Sequence, residues 1–135
     1  MTIRKVTSNP NKQRKAIWNA SNTRMNRHLS APLSSGLQTR HEVKSLPVRK
    51  GDTVKIVRGD FKGVEGKVTE VDRSRNRLYV EGVTREKVAG TQTKMTIHPS
   101  KVQITNLTLD DRWRSKSLEK KKSLTTPETK TEETK

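Results

Sequence analysis

The chain has no cysteine. That excludes a disulfide frame, a thiolate metal site and a cysteine nucleophile, and it suits a reducing compartment. Hydrophobic residues make up 27% of the 135 positions and aromatics 3%, so no single large core is available. The length allows one domain with appendages, not two full domains. Apolar runs are only a few residues long, far short of a membrane span, and the opening "MTIRKVTSNP" lacks the apolar middle of a secretory signal. Negative charge is scarce too: 14 acids face 30 Lys and Arg, for a net +16. Such an imbalance works against compaction unless a polyanion neutralises it. No basic amphipathic stretch has the broad apolar face that a membrane surface needs, so nucleic acid is the expected partner. His28, His41 and His98 are scattered, without metal-ligand spacing or a nucleophile arrangement. The glycines lack the strand–GxxxxGK[ST]–helix order of a nucleotide site. The expectation is a binding protein with no enzymatic activity, no metal and no cofactor.

What is present is concentrated. In "KGDTVKIVRGDFKGVEGKV", residues 50–68, stand Gly51, Gly59, Gly63 and Gly66, four of the seven glycines of the chain. Around them run short alternating stretches. Val54 and Ile56 alternate with Thr53 and Lys55; Val64, Gly66 and Val68 share one face of the next stretch. Val71 breaks that parity, and a one-residue shift predicts a bulge that bends the strand. "DRSRNR" (72–77) is a polar turn; Leu78 and Val80 resume the alternation. "TREKVAGTQ" reads as a loop, Met95 and Ile97 as a strand stopped by Pro99, and Val102 and Ile104 as the last strand. The class is mainly β: a small barrel or sandwich of about five strands. Glycines at its corners supply positive φ or let strands approach closely. Val54, Ile56, Val68, Val71, Leu78, Val80, Ile97, Val102 and Ile104 are its expected core.

Charge divides the chain differently. Residues 1–50 hold eleven Lys and Arg against Glu42 alone, a net of +10. This segment, 1–49, reads as a basic N-terminal arm with short helices, too poor in apolar residues to fold alone and mobile over residues 1–40 without its partner. Asn9 fits an N-cap with Pro10 at the first helical position; a second helix covers "NTRMNRHL"; a third covers "SAPLSSGLQTRHEV", with Leu33 and Leu37 inward and Gly36 weakening it. The barrel is assigned to 50–107. A C-terminal helix follows over 108–122, capped by Asp110 and anchored by Trp113, and then a disordered polar tail over 123–135.

These residues also carry a resemblance. "GDFKGVEGKV" resembles a KOW motif, and "NKQRKAIWNA", "SAPLSSGLQTRHEVKSLPVRKGD", "RGDFKGVEGKVTEVD", "YVEGVTREK" and "IHPSKVQITNL" follow in order. Over about residues 10–120 the chain is similar to the universal KOW family of large-subunit ribosomal proteins, in its archaeal and eukaryotic branch. The resemblance implies an SH3-like barrel bound to the 5′ domain of large-subunit rRNA, near the polypeptide exit. It also implies an early role in assembly, neighbouring ribosomal proteins as partners, a cytoplasmic setting in the ribosome, no membrane contact and no homo-oligomer. A transcription-associated KOW factor is the alternative, separable by co-purification with ribosomes or with RNA polymerase. The candidate rRNA contacts are Lys12, Arg14, Lys15, Trp18, Arg24 and Arg27 in the arm, Arg49 and Lys50 at the barrel entry, Arg58 and Lys62 in "RGDFKG", and Arg73, Arg75 and Arg77 in the polar turn. Trp18 and Phe61 each have two readings, stacking on a base or packing on protein.

Overall fold

The computed structural model describes residues 7–125. Helix α1 (Pro10–Trp18) starts where the sequence places it: Asn9 Oδ1 accepts the N–H groups of Asn11 and Lys12 at 3.0 and 3.5 Å, and Pro10 occupies the first turn. Helix α2 (Asn22–His28) follows and buries Met25. The predicted third helix is shorter than expected. Residues Ser30–Pro32 form strand β1, and helix α3 spans Ser35–His41. Strand β2 (Ser45–Pro47) returns antiparallel to β1, with Ala31 opposite Leu46. Pro32 disfavours helix at Ala31, and α3 starts behind Ser34, its extended N-cap residue.

Strands β3 (Thr53–Ile56), β4 (Glu65–Asp72), β5 (Arg77–Glu86), β6 (Gln92–Ile97) and β7 (Val102–Asn106) form one antiparallel sheet in the order β6-β5-β4-β3-β7. This is the mainly β, small SH3-like arrangement expected. Strand β4 carries a register shift between Val68 and Glu70, at the parity break. A second shift lies in β5, between Tyr79 and Thr84. Such shifts bend strands enough to curl a small sheet. "TREKVAGTQ" is less of a loop than its composition suggests: β5 runs to Glu86 and β6 resumes at Gln92, leaving a short hairpin tip. A Cβ at Gly66 would sit 2.5 Å from the Glu81 carbonyl oxygen and 2.9 Å from Val80 Cγ1. That glycine is there for close strand approach, whereas Gly59 (φ 102°) and Gly63 (φ 93°) turn the β3–β4 loop.

The core holds eight of the nine expected residues as buried side chains, with Val71 half-buried against them. It holds more besides. Leu29, Ala31, Leu33, Val43, Leu46 and Val48 belong to the same cluster. Leu33 is fully buried and bridges Ile104 in parallel, and Ser34 N–H donates to the Ile104 carbonyl at 2.8 Å. Part of the expected arm, residues 29–48, thus packs into the core of the barrel. Six apolar side chains, none in a regular period, fill one wall of the barrel. By contrast, α1 buries no residue.

Helix α4 (Arg112–Thr125) closes the described chain. Its cap is Asp111 rather than Asp110: Oδ1 accepts the Trp113 N–H at 2.8 Å. The proposed anchor is also different. Trp113 is 76% exposed, while Leu118 and Arg114 are buried. Arg114 donates from Nη1 and Nη2 to the two oxygens of Asp52, both at 2.6 Å. Asp52 further accepts the N–H groups of Arg49 (2.9 Å) and Thr108 (3.1 Å). Arg114 also donates to the carbonyls of Thr108 and Pro47. One fully satisfied buried pair thus ties α4, the β2–β3 connection and the chain after β7 together. The expected tail lies outside the described residues from 126 onward.

Candidate nucleic-acid interface

All thirteen candidate contact residues are exposed. Eight of them line three hollows. On the helical pair, Lys12 and Lys15 of α1 and Arg24 of α2 line a shallow groove beside Ala16 and Asn19. Arg14 lies on α1 near Asn11, its Nη1 donating to Asn11 Oδ1 at 3.5 Å, and Arg27 sits in the last turn of α2. Trp18 is 84% exposed among the described residues. An aromatic held open at the end of an unburied basic helix is free to stack.

The turn between β4 and β5 is built by its own acid. Asp72 Oδ1 accepts the Ser74 hydroxyl at 2.7 Å and the Arg75 N–H at 3.1 Å. These two bonds, Ser74 first, hold its carboxyl below the ordinary carboxylate range. Asn76 completes the turn in the left-handed region at φ 54°, a conformation asparagine tolerates better than most residues. The three arginines do not act as one fork. Arg73 lines a cleft with Arg49 and Lys50, Arg77 lines a depression at the barrel end with Arg58, and Arg75 stays 4.0 Å from Asp72. Helix α2 packs beside this turn, with Asn76 Nδ2 3.9 Å from Met25 Sδ.

At the barrel end, sequence reasoning missed two members. Lys101 and His98 share the depression with Arg58 and Arg77. The His98 ring is pushed below its ordinary value by burial first, then by Arg77, Lys101 and His28. It acts as a neutral cap, Nδ1 accepting the Ser100 N–H at 3.3 Å, which agrees with its reading as a turn residue. Phe61 is half-buried and packs against the core. Lys62 lies exposed in the tight loop beside it, where its N–H donates to the Gly59 carbonyl. Arg49 is partly committed, since its guanidinium pairs with Asp111. No pattern in the sequence marks Asp52 and Arg114 as partners, being 62 positions apart.

Among the described residues, no three His, Asp or Glu gather as metal ligands, and no helix is long and apolar enough to cross a membrane. What the surface offers is dispersed positive charge with little counter-charge. The model of the family that unites the eukaryotic L26 ribosomal proteins with their archaeal L24 counterparts matches residues 7–121. The chain belongs to this family. Two relatives are each named large ribosomal subunit protein uL24. The one from Korarchaeum cryptofilum is 48% identical over 112 residues, covering 83% of this chain and 86% of the relative. The one from Sulfolobus acidocaldarius is 42% identical over 119 residues, covering 88% and 89%. The family resolves the choice left by the KOW motif in favour of the ribosome over a transcription factor. A family member is a structural, non-enzymatic component of the large subunit, at work in the cytoplasm.

Proposed function

We propose that the chain binds the 5′ domain of large-subunit rRNA, early in subunit assembly and near the polypeptide exit, as a scaffold that neutralises phosphate. The observation that carries this reading is the set of exposed basic patches just described: Lys12, Lys15 and Arg24 on the helices; Arg49, Lys50 and Arg73; and Arg58, Arg77 and Lys101. Of these nine, Arg49 alone makes an ion pair among the described residues. Cations spread over a rigid β scaffold and a helical pair position a folded RNA without reading its sequence. Arg14, Arg27, Lys62 and Arg75 are further exposed cations, and Trp18 supplies a stacking face.

The test is binding of the full chain to a 5′-domain rRNA fragment and to a fragment of equal length from another domain, across a salt series. Affinity for the first should fall by about 0.7 to 0.9 log units per log unit of salt for each phosphate neutralised. A flat profile refutes the electrostatic account, and equal affinity for both fragments refutes the domain assignment. Crosslinking within intact subunits and the composition of precursors formed without the protein test the exit-side location and the early role.

A further inference from the structure

A cleft of about 840 Å³ opens between α2, the β2–β3 connection, β4 and α4. Its apolar lining is the half-buried Pro47 and Val71, with the buried Leu29 and Val48 beneath them. Lys50 and Arg73 stand on it, both exposed and without an ion pair among the described residues. Asn26 and Glu70 add polar groups that engage no hydrogen bond or ion pair among the described residues, and Ser117 of α4 borders the far side. An unpaired carboxylate beside two unpaired cations is an unusual combination for a surface whose work is phosphate neutralisation, since Glu70 opposes that work. The volume lies in the range of about 300–1,000 Å³ typical of pockets for single small ligands. It is too small for a stretch of duplex and suited to one extruded residue.

We propose that this cleft receives one unstacked nucleotide of the RNA and selects a base bearing an exocyclic amino group. The proposal rests on the RNA-binding reading above and adds a recognition site to it. Lys50 and Arg73 hold the phosphate by charge-assisted hydrogen bonds. The base lies over the apolar lining, and Glu70 accepts from its amino group, as carboxylates do from cytosine N4. Asn26 offers a donor and an acceptor to the same edge. At the position of that amino group uracil presents the carbonyl oxygen O4, which meets the Glu70 carboxylate with repulsion.

The experiment measures the full chain against two single-stranded probes, a cytidine 12-mer and a uridine 12-mer, by fluorescence anisotropy at two salt concentrations. Three proteins are compared: the natural chain, Glu70→Gln and Ser117→Trp. Glutamine donates as well as accepts and so suits either base. Tryptophan at 117 fills the cleft from the exposed side of α4, where folding is verified by thermal melts. The natural chain should bind the cytidine strand about fivefold or more tightly than the uridine strand, the equivalent of one good base contact. Both variants should lose that preference while keeping a steep salt dependence. Equal binding of the two strands by the natural chain, or a preference that survives Ser117→Trp, overturns the nucleotide pocket. If the salt slope is then still steep, the phosphate-binding reading stands. A flat salt profile for both strands defeats that reading and the pocket with it.

Discussion

Replacing Arg114 with methionine isolates the contribution of the buried ion pair. Methionine keeps an unbranched stem in the space between β2 and the chain after β7, so packing changes little. The guanidinium goes, and with it both 2.6 Å bonds to Asp52 and the bonds to the Thr108 and Pro47 carbonyls. Asp52, with no exposed surface, is left as a buried carboxylate. Breaking such a pair from one side costs about 3–5 kcal/mol. Asp52 keeps two backbone donors, from Arg49 and Thr108, so the loss should lie near the lower end, about 3 kcal/mol. For a domain of this size that lowers Tm by roughly 10 °C. Urea denaturation followed by circular dichroism gives the free energy, and amide exchange along residues 112–122 reports whether α4 has come loose. Asp52→Asn combined with Arg114→Met should cost less than the sum of the single changes, because no unpaired charge remains. A single Arg114→Met variant within about 1 kcal/mol of the natural chain would show that α4 is held by Leu118 and the surface pairs instead.

Gly66→Ala should destabilise by about 1–3 kcal/mol in urea melts, because the new methyl meets the Glu81 backbone carbonyl at 2.5 Å, which cannot swing aside; a neutral effect would mean that β4 and β5 are further apart than described. Leu33→Ala should cost about 2–5 kcal/mol, as for any fully buried core leucine, and free-state hydrogen exchange should protect residues 29–34 with the barrel; fast exchange there would restore the mobile-arm expectation. The rings of His98 and His41 are both held below the ordinary 6.5, by burial first. The unfolded chain therefore binds more protons, so stability is full above about 6.5 and declines as pH falls below it. Thermal melts from pH 7.5 to 5 should show that decline, and a His41→Gln/His98→Asn variant should show less of it; an equal decline assigns the effect elsewhere. Arg73, Arg75 and Arg77 changed together to alanine should leave Tm within a few degrees, while weakening RNA binding and reducing its salt slope by about 0.7–0.9 per lost phosphate contact; unchanged affinity and slope would place the turn away from RNA.

The amino-acid sequence alone determined whatever depends on near neighbours in the chain. Period-two alternation laid out the barrel strands, because successive side chains in a strand must face opposite ways. Asn9 and Pro10 set the start of α1, because capping is satisfied within one turn. The excess of Lys and Arg over acids named the class of partner, because net charge needs no fold to be counted. Three-dimensional packing decided the rest. Leu29, Ala31, Leu33, Val43, Leu46 and Val48 follow no period, and only a curled sheet with an open wall makes them core. Trp113 looks like an anchor by residue type, yet the side of α4 that meets the barrel carries Arg114 and Leu118. Arg73 and Arg77, four residues apart, line separate hollows of the folded surface. Asp52 and Arg114 meet across 62 positions of chain. A charge pair of that span leaves no mark in local composition, and it exists only once burial has removed water from both partners.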